Sequence, residues 1–195
     1  MKFEINSHIK SLNLGIGQIK EDILNSFTQT IINKSISGKH IFVAGNGGSA
    51  SIANHFVTDL IGGFQKTNFK IKVSSLSSND SLITALGNDY GYDNVFSNQI
   101  KKLASKEDLL ILISSSGMSP NIVKAAECAQ EMGLEVFSMV GFEGGHEKLR
   151  KSSTLVFHVK TQVGQYEIVE DVHGIFCHSL KLEILNQLGL VESNE

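Results

Sequence analysis

The 195-residue chain has no tryptophan, one proline and two cysteines, and its formal charge is only −3. Each scarcity removes a class of function. Cys128 and Cys177 stand apart with no C-x-x-C spacing, so a disulfide framework and a zinc knuckle both lack support, and a reducing compartment is the simpler setting. The lysines are scattered and the isoelectric point lies near 6.2, so no basic stripe is present for nucleic-acid phosphates. No apolar run approaches the length of a bilayer span, and the opening Met1–Asn6 lacks the apolar stretch of a secretion signal. A soluble, cytoplasmic protein with no nucleic-acid or membrane partner is expected. With 41% apolar residues, the chain supplies one sizeable core and is short for two.

The apolar residues that are present fall into two periodicities. From about Ile9 to Ile36 they recur at helical spacing, with Ile19, Ile23, Leu24, Phe27, Ile31 and Ile32 on one face before Gly38 stops the pattern. Thereafter short β-branched runs alternate with helical stretches. The expected strands are His40–Ala44, Lys70–Ser74, Leu109–Ser114, Glu135–Val140 and Thr154–Val159, nearly all apolar throughout, as suits strands buried on both faces. This alternation predicts right-handed βαβ crossovers and a doubly wound α/β fold on a parallel sheet. The whole of 1–195 reads as one domain, with N-terminal helices over 1–38 and an α/β core over 39–188.

Two Ser/Gly runs lie where strands give way to helices: Ala44-Gly45-Asn46-Gly47-Gly48-Ser49 and Ser114-Ser115-Ser116-Gly117-Met118-Ser119. Glycine permits close backbone approach, serine hydroxyls add donors without bulk, and a helix N-terminus favours an anion. Either run alone is also what an ordinary capped loop requires; the pair points to a phosphorylated ligand. Ser119-Pro120 is a preferred helix opening, so the second run leads into a helix over Asn121–Met132. A dinucleotide is disfavoured, because Gly-x-Gly-x-x-Gly spacing and a P-loop lysine are both absent; no nucleotide cofactor is expected.

His55 and Asp59 are four residues apart on the helix after the first run, and Glu170 and His178 are eight apart on a last helix over roughly Ile168–Leu188. Imidazoles and carboxylates on two helix faces suit a divalent metal such as zinc or manganese, and the same groups serve as acid and base. Singly, each is equally at home as a solvated helix residue or a core histidine. Glu167, Asp171 and His173 read as supporting or surface groups, Cys177 as a core thiol, and His8, His40, His146 and His158 have no useful spacing.

The two Ser/Gly runs, His55-Phe56-x-x-Asp59-Leu60 and Gly87-Asn88-Asp89-Tyr90-Gly91-Tyr92, taken in this order, resemble the sugar isomerase (SIS) domain superfamily, and within it the phosphoheptose isomerases. The resemblance runs from the N-terminal helices to about Leu188. It implies a five-stranded parallel sheet, a homotetramer with active sites at subunit interfaces, and usually a zinc ion. It implies interconversion of sedoheptulose 7-phosphate and D-glycero-D-manno-heptose 7-phosphate, on a route to nucleotide-activated heptose for lipopolysaccharide or capsule. By position, Gly47, Gly48, Ser49, Ser114, Ser115, Ser116 and Ser119 belong to the phosphate cradle, and Asn46 and Asp89 lie near the sugar. His55, Asp59, Glu170 and His178 match the metal and acid/base positions, with Asp59, His178 and Glu170 as the catalytic set.

Three positions depart from that pattern. Asp59 stands where relatives carry glutamate, Glu170 where they carry glutamine, and Gly63 where well-known members have an arginine near the substrate. A non-catalytic phosphosugar-binding or regulatory protein, or an isomerase of another sugar phosphate, are the rival readings; the acid/base set favours an enzyme.

Overall fold

The computed structural model describes residues 4–65 and 67–190. Five parallel strands, β1 (His40–Gly45), β2 (Lys72–Ser75), β3 (Leu109–Ser114), β4 (Glu135–Gly141) and β5 (Leu155–Val159), form one sheet in the order β2-β1-β3-β4-β5. The helices are α1 (Ile5–Ile16), α2 (Glu21–Ile36), α3 (Gly48–Gly63), α4 (Asp80–Tyr90), α5 (Val95–Leu103), α6 (Pro120–Glu131), α7 (Glu147–Ser152) and α8 (Tyr166–Gln187), with a 3₁₀ turn at Tyr92–Asn94.

Side chains alternate across the strands, and both faces are buried. Ile41, Val43, Leu109, Ile111 and Ile113 join Phe27, Phe56 and Phe176 in a core beneath α2, α3 and α8. Phe42, Ala44, Leu110 and Leu112 enter a second core with Phe96, Ile100, Ile122 and Ala126 of α5 and α6. Phe27 packs between Phe137 and Phe176, with ring centroids at 4.5 and 5.2 Å.

The N-terminal periodicity forms two helices, α1 and α2. The break over 17–20 has a local cause: the Gln18 carboxamide donates to the Lys160 carbonyl at 3.1 Å and accepts from its N–H at 2.8 Å, tying the α1–α2 turn to the end of β5. β2 starts two residues later than its apolar pattern suggests, because pairing with β1 begins at His40 opposite Lys72.

The connection from β1 leads to β2 on one side, while β3 pairs on the other. The sheet therefore reverses its winding between β1 and β3, where loops diverge at the carboxyl ends and leave a crevice. Both Ser/Gly runs flank that crevice, since one ends β1 and the other ends β3.

Candidate active site

The two loops enclose a cavity of about 160 Å³, lined by Asn46, Ser49, Ser114, Ser115, Ser116 and Ser119, with Tyr166 and Glu170 of α8 closing it. More open clefts of about 670 and 510 Å³ lie elsewhere, the first by Phe69 and Leu188 and the second by Gly15 and Gln162; neither gathers serines at a helix start. The hydroxyls in the crevice are set up to donate. Ser114 Oγ accepts from Gly117 N–H at 3.1 Å and Ser116 Oγ from Met118 N–H at 3.2 Å, leaving each hydroxyl proton free. Ser119 stands at the N-cap of α6 without making a side-chain cap bond. Ser115 Oγ is buried with no hydrogen-bond partner among the described residues, an orphan that a bound anion would satisfy. Gly47 caps the start of α3, and its carbonyl receives the N–H groups of Ala50 and Ser51.

Asn46 is held from two sides. Its carboxamide exchanges hydrogen bonds with that of Asn121, both 2.9 Å, and its Oδ1 accepts from Tyr92 Oη at 3.0 Å. Tyr92, Asn121 and Tyr166 are participants that sequence reasoning missed. The Gly91-Tyr92 pair within the fourth motif was the available signal for Tyr92, whereas Asn121 and Tyr166 are brought in by the packing of α6 and α8. Asp89 lies on the exposed side of α4, accepting from Asn88 Nδ2 at 3.0 Å, and does not line this cavity.

The imidazole–carboxylate group lies farther along α3 and α8. Asp59 Oδ2 is 3.5 Å from His55 Nε2 and 3.4 Å from His178 Nε2, and the two imidazole nitrogens are 3.0 Å apart. Donors at about 2.0–2.1 Å around a tetrahedral zinc are separated by roughly 3.3 Å, so these three match one face of such a site. The group lies at the surface of this chain, where the His55 and His178 side chains are 60% and 53% exposed.

Glu170 does not join that group. Among the described residues the clustered ligand atoms, all within 4.8 Å of one another, come from His55, Asp59 and His178. Eight residues from Glu170 to His178 are about 12 Å of helix rise, so a shared ion requires the two side chains to lean together along α8. Instead the Glu170 carboxylate lies over the first turn of α3, so close that a side chain at Gly48 would overlap it. Its pKa is raised, first by desolvation and then by the neighbouring carboxylates of Glu167 and Asp171. His173, one turn on, is fully buried; desolvation lowers its pKa to about 4, and the Val140 backbone opposes this more weakly, without a well-formed hydrogen bond to either ring nitrogen among the described residues. Cys177 is buried with its pKa pushed up by desolvation and by Asp59, as fits a core thiol. Above Gly63 the space is taken by the stem of Lys181.

The chain as a whole is similar to known proteins. The SIS domain family matches residues 9–141. The phosphoheptose isomerase of Helicobacter pylori strain P12 is 38% identical over 177 residues, 91% of this chain and 90% of that protein. The chain belongs to the phosphoheptose isomerase family. Solved phosphoheptose isomerases agree in fold: that of Francisella tularensis has a TM-score of 0.83 at 25% identity, covering 94% of this chain and 96% of its own. That of Neisseria gonorrhoeae has a TM-score of 0.82 at 26% identity, covering 93% and 97%. Membership spans nearly the whole chain, so the serine crevice and the α3–α8 group both fall within the shared region.

Proposed function

We propose that this chain interconverts sedoheptulose 7-phosphate and D-glycero-D-manno-heptose 7-phosphate as one SIS domain over 1–195, in the cytoplasm, supplying nucleotide-activated heptose for lipopolysaccharide or capsule. The observation that carries this reading is the pairing, within a chain of this family, of a serine-lined anion crevice with an imidazole–carboxylate group on the adjoining helices. The phosphate lies against Ser49, Ser114, Ser115, Ser116 and Ser119 and the N-terminus of α3, Asn46 meets the sugar chain, and the reacting carbons extend toward Asp59 and His178. Asp59 removes the proton next to the carbonyl, and His178 moves the proton between the two oxygens. The proton then returns to the neighbouring carbon from the carboxyl that took it. Glu170, at the crevice and with a raised pKa, is the alternative base.

His55, Asp59 and His178 are the residues that would hold a zinc or other divalent ion, with Glu170 as a further ligand in the proposed set. Such an ion, when bound, supplies positive charge opposite the enediolate oxygens. The exposure of both histidines supports a homotetramer in which another subunit covers the group, and the outward position of Asp89 supports its serving a neighbouring subunit's sugar. An NMR time course tests the reading directly. Sedoheptulose 7-phosphate should convert, while pentulose and hexulose phosphates react more slowly, light scattering should show a tetramer, and chelation should stop turnover until zinc is restored. A chain that binds the sugar phosphate but turns nothing over is a binding protein instead.

A further inference from the structure

On α8, Lys181 follows His178 by three residues; on α3, Gly63 follows Asp59 by four. These intervals place side chains one turn apart on the same helix face. Glu170 meets Gly48, His178 meets Asp59 and Lys181 meets Gly63, so α3 and α8 run parallel, and the last pair faces across one turn beyond the imidazole–carboxylate group. The contact is direct. A Cβ on Gly63 would lie 3.0 Å from Lys181 Cε, 3.7 Å from Cγ and 4.0 Å from Cδ. The methylene stem crosses the backbone of α3 where Gly63 has no side chain to hold it off.

Lys181 is half-buried, yet its ammonium makes no ion pair or hydrogen bond among the described residues. Lys34, also half-buried, shows the ordinary arrangement: it reaches the Glu135 carboxylate at 2.8 Å and the Glu107 carbonyl at 2.7 Å. A lysine packed along its stem and left without an internal acceptor holds its charge available to whatever enters beside it.

We infer that Lys181 is a substrate-facing cation of this site, admitted to its position by the missing side chain at Gly63. The inference rests on the isomerase reading. Removal of the proton next to the carbonyl leaves its electron pair in an enediolate, and the charge develops on oxygen. The ammonium at the end of the stem packed on Gly63 opposes that charge and keeps its own proton throughout, while the carbon-bound proton passes to the base and then to the neighbouring carbon. Because the charge grows as the bond to carbon breaks, the interaction strengthens in the transition state and belongs in kcat more than in KM.

Lys181→Met keeps the stem and removes the charge. With sedoheptulose 7-phosphate its kcat is expected to fall about 30-fold with KM changed less than about threefold, and Lys181→Arg is expected to recover most of the loss. Gly63→Ala should lower kcat about tenfold by pushing the stem aside, yet add nothing in the Lys181→Met background, because both changes act through one group. Unchanged kcat in Lys181→Met, equal loss in Lys181→Arg, or simple additivity of the two changes would each overturn the inference while the unaltered chain still turns over substrate. Absence of turnover by the unaltered chain overturns the isomerase reading and this one together. A thermal midpoint preserved in Lys181→Met assigns its lost turnover to charge rather than to folding.

Discussion

The serine crevice and the α3–α8 group are built on opposite plans. The crevice is assembled by backbone at two adjacent strand ends, with Ser114 and Ser115 buried and Asn46 fixed by two partners. The α3–α8 group is assembled by side chains alone, on helix surfaces, with both histidines more than half exposed. One region is enclosed by residues of this chain, whereas the other presents its side chains to solvent. Binding and chemistry should therefore fail separately when each is altered.

The largest separation is expected from Asp59→Asn. On the proposed reading it removes a base and an anionic ligand together, so turnover should drop by about three orders of magnitude or more while the affinity for the sugar phosphate stays near its original value. Steady-state kinetics with isothermal titration measures both. Comparable loss of affinity would merge the two regions into one.

His173 lies on α8 between Glu170 and His178, fully buried in the core. Its folded pKa, about 4, is below the unfolded value near 6.5, so the folded state binds the proton less readily. Its contribution is fully present above pH ~6.5 and is lost as the pH falls toward 4, amounting to about 3 kcal/mol. Urea unfolding across that range should show the slope in the unaltered chain and a shallower one in His173→Phe. Coincident slopes would move the effect to other groups.

Ser116→Leu should raise KM about tenfold or more with the fold intact, since it removes a donor and fills a cavity of about 160 Å³. Unchanged affinity in that variant would displace the phosphate from the crevice. Glu170→Gln is expected to be the mildest, within about tenfold in kcat, because the amide keeps an oxygen at the same place. A dead Glu170→Gln beside an active Asp59→Asn would move the base from α3 to α8.

Much of this architecture was legible in the sequence because burial on both faces leaves strands such as Leu109–Ser114 apolar throughout, and a serine–proline pair marks the start of α6. Helical spacing likewise brought His55 next to Asp59. It says less about Glu170, because sharing a helix face gives no distance along it, and the carboxylate lies against Gly48. Tyr166 and Asn121 were unreadable for a different reason: their contacts depend on how α8 and α6 pack, and no local pattern encodes that.

The amide pair of Asn46 and Asn121 joins the end of β1 to the first turn of α6 across the crevice, and Tyr92 fastens it from the side. In mechanical language it is a latch with its catch already closed. These bonds are made by the chain's own residues, so they hold the width of the crevice at the expense of folding rather than of binding. Cutting the latch with Asn121→Ala would leave the serines in place on a wider, looser opening, and slow association would then accompany weak affinity.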